Sequence, residues 1–129
     1  MRAYATPGMV IPLLASANGL ALLSTWSDDE IHEFIARGAA AYTPFTITDR
    51  DALADSILRV RERGYAVNDQ QWREGVRAVA APIVVAGVGV AGIGVSAPIH
   101  RMPPAVQKKY GGMVVEAAGA IALGLGEAP

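Results

Sequence analysis

A chain of 129 residues, 52% of them hydrophobic and 18% charged, is long enough for one domain with an apolar core and too short for two independent domains. The net charge of −1 argues against binding to bare nucleic acid, which requires a cluster of Lys and Arg that this chain lacks. With no cysteine and two isolated histidines, we expect neither a metal site nor a cofactor.

The first elements predicted are two short strands and a helix. Residues 2–5 and 10–15 have strand character, and Pro7 and Gly8 between them favour a tight turn, so a hairpin is expected. From Ser16 the leucines are spaced among small residues in a way typical of a short helix, which the Ser16 hydroxyl would cap.

Two further helices have clear end signals. Ser27 and Glu30 have the spacing of a capping box, and Gly38 lies where a left-handed residue ends a helix. Residues 50–63 place their apolar side chains on one helical face, and Gly64 is expected to end that helix.

The charge-free tract of residues 78–99 is long enough to span a bilayer as a helix. Its glycines, flanking prolines and many Val and Ile residues instead favour two buried strands, at residues 76–85 and 90–97, with a glycine-rich turn at residues 86–89. We therefore expect no membrane span.

A strand at residues 65–67 and a long final helix from residue 104 to about residue 125 complete the prediction. The order of elements indicates a single α+β domain over residues 1–129, with an antiparallel sheet flanked by helices. The N-terminus has no signal-peptide pattern, so a cytoplasmic location is expected.

Five motifs in the same order resemble the effector-binding domain of IclR-type transcriptional regulators. They are PLLASANGLALL at residues 12–23, YTPFTIT at residues 42–48, RERGYAVN at residues 61–68, GVRAVAAPI at residues 75–83 and GVSAPIHR at residues 94–101. The likeness runs from about residue 2 to residue 126.

This resemblance implies a GAF-like or profilin-like domain that encloses a pocket for a small organic effector and pairs with another copy of itself. Members of the family carry a winged helix-turn-helix ahead of this domain. We expect direct DNA contact to come from that module, not from this chain, whose opening strands also look to be missing. A sheet without those strands leaves backbone groups unpaired, so we expect them to be covered by self-association into a homo-oligomer or by another chain.

The resemblance also implies which residues form the pocket. They are Ser16, Ala17, Asn18, Gly19, Asn68, Ala78, Gly94 and Ser96. Amide groups at the start of the helix after Ser16 could receive a carboxylate, although Ser16 could equally serve only as a cap. Gly94 and Ser96 are two apart and would share one face of a strand.

Several of these positions depart from the family pattern. Asn68 replaces the usual aspartate, Ala78 the usual cysteine, and Gly94 the first of two serines. Exchanging polar groups for Ala and Gly enlarges and dries a pocket, so we expect a larger aromatic or medium-length carboxylic acid, held by the helix-start amides, Asn68 and Ser96. For each of these residues taken singly, a substitution that only suits the packing of the core is an equally good explanation.

The sequence does not predict an enzyme, because it offers no cysteine, no paired histidine and no glycine-rich loop that opens a helix. Two functions remain. One is sensing of an organic acid by a regulator domain; the other is a structural or dimerisation domain, or a truncated regulator, that binds no ligand.

Overall fold

The computed structural model describes residues 7–127, in which four α-helices flank a three-stranded antiparallel sheet with the order β1-β2-β3. In chain order the elements are α1 (Ala17–Leu23), α2 (Asp28–Ala36), α3 (Arg50–Arg63), β1 (Ala66–Asp69), β2 (Val76–Val85), β3 (Val88–Pro98), a short 3-10 helix (Ile99–Arg101) and α4 (Pro104–Glu127). The predicted α+β class is confirmed.

The sheet separates two apolar cores, because successive side chains of a strand point to opposite faces. Ala66 and Ala80 pack on one face against the buried residues of α1, α2 and α3. Val79, Ala81 and Ile83 pack on the other face against Met102, Val114 and Ala118. Helices therefore cover both faces, and the candidate site lies on the α1 side.

The helix-end signals read from the sequence are confirmed. Ser27 and Glu30 form a complete capping box at the start of α2. Gly38 follows α2 with φ 93°, and Gly64 ends α3 with φ 88°, both in the left-handed region that glycine adopts without strain.

The charge-free tract forms two paired strands, as predicted, but its turn is shorter than expected. Ala86 (φ 51°) and Gly87 (φ 77°) alone connect β2 to β3, which matches a two-residue turn with both residues left-handed. β3 therefore begins at Val88, two residues before the predicted start, and β1 runs to Asp69. Among the described residues, no helix combines the length and hydropathy needed to cross a bilayer.

The predicted strand at residues 10–15 is wrong, because the structure has loop and turn there; its predicted partner at residues 2–5 lies outside the described residues. Pro12 lacks a backbone N–H, and its carbonyl accepts a hydrogen bond from Ser16 Oγ at 2.7 Å. A Cβ at Gly19 would overlap the backbone of Leu13. The chain turns closely over α1 and buries Leu14 without forming a strand.

Candidate functional site

A cavity of about 220 Å³ lies between the start of α1 and the sheet, and the loop that joins β1 to β2 forms part of its wall. Its lining residues are Ile11, Ser16, Ala17, Asn18, Asn68, Trp72, Arg73, Val76, Ala78, Val79, Ala80, Gly94, Val95 and Ser96. The wall therefore combines backbone turns, small apolar side chains and a few polar groups.

Seven of the eight residues predicted for the pocket lie on this wall, although they come from four separate elements or turns. They are Ser16, Ala17, Asn18, Asn68, Ala78, Gly94 and Ser96. The eighth, Gly19, is buried and packs against the turn at Leu13, so it is not part of the wall. The segment after Ser16 and the strand that carries Ser96 thus enclose a common space.

The register of β2 and β3 creates the small-residue part of the wall. Ala78 is paired with Ser96 and Ala80 with Gly94, so these four residues lie on one face of the sheet. A Cβ at Gly94 would lie 2.8 Å from the Val79 carbonyl oxygen and 3.0 Å from Asn18 Oδ1. Glycine at this position therefore allows Asn18 to approach the strand closely.

Ser16 serves as the N-cap of α1. Its Oγ accepts a hydrogen bond from the Gly19 amide at 3.0 Å and donates one to the Pro12 carbonyl at 2.7 Å. The single donor of the hydroxyl is thus committed to the protein. These bonds support the interpretation of Ser16 as the N-cap of the seven-residue helix α1.

Asn68 is 5% exposed and joins two turns that surround the cavity. Its Nδ2 donates a hydrogen bond to the Ala15 carbonyl, and its Oδ1 accepts one from the Gln71 amide at 2.9 Å. An ionised aspartate has no donor and could not make the first of these bonds. The amide at this position therefore has a structural explanation.

Trp72 and Arg73 also line the cavity, and neither was predicted from the sequence. The guanidinium carbon of Arg73 lies 4.7 Å from the centroid of the Trp72 ring. Among the described residues that line the cavity, Arg73 alone has an ionisable side chain. The available signal was an aromatic residue beside an arginine in an otherwise polar loop between two strands, but such a pair is too common on protein surfaces to be diagnostic.

Two threonines hold the loop that carries Trp72 and Arg73. Thr43 Oγ1 donates to the Gln70 carbonyl at 2.6 Å, and Thr46 Oγ1 donates to the Gln71 carbonyl at 2.5 Å. The backbone of Gln70 has φ 63°, in the left-handed region that residues other than glycine rarely adopt. Its side-chain Oε1 accepts a hydrogen bond from the Gly75 amide at 3.0 Å. The two threonines of the YTPFTIT motif thus hold this part of the cavity wall in place.

The carboxyl groups with shifted pKa values lie away from the cavity lining. A hydrogen bond from Arg61, and then its charge, lower the pKa of Asp28. Hydrogen bonds from the Ser27 backbone and hydroxyl lower the pKa of Glu30. Within residues 7–127, no group of three or more His, Asp or Glu side chains is arranged to hold a metal ion.

Comparison with known proteins assigns the family. The sequence matches the family described as "Bacterial transcriptional regulator IclR C-terminal" over residues 1–123. The HTH-type transcriptional regulator BhcR of Paracoccus denitrificans (strain Pd 1222) is 35% identical over 127 residues, which are 97% of this chain and 46% of that protein. The chain thus spans about half the length of the curated relatives it matches.

Solved structures give the same result. A transcriptional regulator from Rhodococcus sp. RHA1 superposes with a TM-score of 0.91 at 32% identity, over 98% of this chain and 52% of that one. The PobR inducer-binding domain from Acinetobacter, solved as a double mutant in complex with 3-hydroxybenzoic acid, has a TM-score of 0.79 at 25% identity, over 87% of this chain and 66% of that one. This chain belongs to the IclR C-terminal family of bacterial transcriptional regulators.

Proposed function

We propose that this chain is the sensing domain of a transcriptional regulator and that it binds a small organic acid in the cavity between Ser16 and Ser96. The observation that carries the proposal is the cavity of about 220 Å³, whose wall includes seven residues chosen from the sequence alone. The similar PobR domain was solved with 3-hydroxybenzoic acid, which supports an acid of that size as the ligand class.

The chemistry of the wall favours an acid with an apolar body. Ala78 and Ala80 offer small apolar surfaces, Asn18 and Ser96 offer polar groups, and Arg73 supplies a positive charge. Ligand sites of this kind combine a mostly apolar wall with a few polar groups that orient the ligand. We infer that aromatic and medium-length carboxylic acids bind better than very small polar acids.

Thermal-shift measurements with a panel of aromatic and aliphatic carboxylic acids test the proposal, since a ligand that binds only the folded state raises its melting temperature. Ser96→Leu should fill the cavity and abolish the shift. Ala91→Leu, at an exposed residue of β3 that does not line the cavity, is the matched control and should retain it. If no acid raises the melting temperature of the wild-type protein, its interpretation as a domain that binds no ligand becomes the better one.

We also propose that the chain associates with a second copy of itself through the outer edge of β3. Within the described sheet β3 pairs only with β2, and its Val88 and Val90 are 61% and 51% exposed. An unpaired edge with apolar side chains favours pairing with another strand. Val90→Lys should lower the mass measured by light scattering, whereas Leu58→Lys, at an exposed residue of α3, should leave it unchanged.

No catalytic step forms part of this proposal, and we expect a bound acid to be recovered unaltered after incubation. The matched relatives are transcriptional regulators, which supports a regulatory role. We expect this role to be exercised in the cytoplasm, where such a regulator meets its DNA. Turnover of any acid in the panel would contradict the proposal.

A further inference from the structure

No carboxylate pairs with Arg73 in the described part of the chain, in contrast to Arg61 and Arg77. Arg61 pairs with Asp28 at 2.6 Å, and Arg77 pairs with Asp69 at 3.1 Å. The guanidinium of Arg73 instead lies over the Trp72 ring, and its Nη2 lies 3.8 Å from Met9 Sδ, a weak acceptor. Its fork of donors is therefore available to a ligand.

The position of Arg73 is set by its loop. The bonds from Thr43 and Thr46 to the backbone of Gln70 and Gln71 hold the segment just before Trp72. Stacking on the indole ring restricts the guanidinium further. A donor restricted in this way loses less conformational entropy when it binds an anion.

Three other residues of the cavity wall offer a carboxylate less than Arg73 does. The Ser16 hydroxyl donates to Pro12, and the Asn68 amide bridges Ala15 and Gln71. Ala80, on the sheet, is fully buried and apolar. A charge placed there would lose its hydration without gaining an ionic partner.

We propose that Arg73 determines both the class and the orientation of the ligand, an inference that rests on the proposed function. A planar aromatic acid binds with its carboxylate toward exposed Arg73 and its ring toward Ala78 and Ala80, with one edge against Trp72. This orientation is the reverse of the one expected from the sequence, in which the carboxylate meets the amides at the start of α1. The pairing of a guanidinium with a carboxylate is bidentate, which selects acids over neutral analogues.

Calorimetric titration of the purified chain with benzoic acid and with benzamide tests this inference, because the two probes share a ring and differ in charge. Arg73→Gln should weaken the binding of benzoic acid roughly 10- to 100-fold, the range expected for loss of a charged hydrogen-bonded pair. The same variant should leave benzamide binding unchanged within about twofold. Arg73→Lys keeps the charge but not the planar fork of donors. Its affinity for benzoic acid should lie between those of the wild type and Arg73→Gln.

Arg59→Gln, which removes the same charge from an exposed residue of α3, is the matched control and should bind benzoic acid like the wild type. Because Arg73 is exposed, its variants should keep the wild-type circular dichroism spectrum. In a Trp26→Phe background, Trp72 is the only tryptophan, so its fluorescence should change when benzoic acid binds.

Equal affinity of the wild type and Arg73→Gln for benzoic acid would overturn the assignment of Arg73 and leave the proposed function intact. The same conclusion would follow if the wild type bound other acids of the panel but not benzoic acid. If no acid of the panel binds the wild type, both the inference and the proposed function are overturned.

Discussion

The side-chain amide of Asn68 donates a hydrogen bond to the backbone carbonyl of Ala15, although 53 residues separate them in the chain. The same side chain accepts a bond from the Gln71 amide. One buried residue of β1 thus links the turn before α1 to the loop that carries Trp72 and Arg73. The shape of the cavity depends on this link, because both segments contribute residues to its wall.

Asn68→Asp should destabilise the protein, since a carboxylate cannot donate to the Ala15 carbonyl and would be buried beside it. We expect a loss of about 1–3 kcal/mol in the free energy of unfolding at neutral pH, measured by urea denaturation. Asn18→Asp, at an exposed position of α1, is the control and should change stability by less than about 0.5 kcal/mol. Equal effects of the two variants would contradict the structural role of Asn68.

Thr43→Val and Thr46→Val should loosen the loop between β1 and β2, because each removes a hydroxyl that donates to a loop carbonyl. Each variant should cost about 1 kcal/mol of stability. Hydrogen exchange should become faster at residues 70–75 and remain unchanged in α4. Exchange that rises equally in both regions would indicate general destabilisation instead.

Two adjacent glycines of α4 should respond in opposite directions to substitution by alanine. A Cβ at Gly111 would overlap the Tyr65 ring, whereas one at Gly112 would meet nothing within 4 Å. Gly111→Ala should therefore cost about 1–3 kcal/mol through overpacking. Gly112→Ala should stabilise the helix by about 0.5–1 kcal/mol, since alanine has the higher helix propensity. Thermal unfolding of the pair measures both effects.

The ion pair between Arg61 and Asp28 should be visible in an NMR titration. The hydrogen bond from Arg61 lowers the pKa of Asp28 below its ordinary value of 3.8. Because the folded pKa is the lower one, the pair stabilises the protein above the unfolded pKa and loses this effect as the pH falls through the folded pKa. Arg61→Gln should return the pKa of Asp28 toward 3.8, and an unchanged value would contradict the assigned cause.

The sequence determined the features whose physical cause lies within a few residues. Ser27 and Glu30 specify the start of α2 because a capping box is closed over four consecutive positions. The glycines, the flanking prolines and the many Val and Ile residues predicted β2 and β3, and the two-residue spacing of Gly94 and Ser96 predicted that they share one face. The resemblance to a known family indicated seven of the fourteen residues that line the cavity.

Only the tertiary structure decided which polar groups of that wall are already bonded and which remain available. The partner of Asn68 is distant in sequence, and the threonines that hold the Trp72 loop lie 27 and 25 residues before the carbonyls they contact. The same is true of residues 10–15, where apolar side chains favoured a strand but packing over Gly19 imposed a turn. Hydrogen-bond partners across a fold depend on how the elements pack, and no local pattern of residues encodes that arrangement.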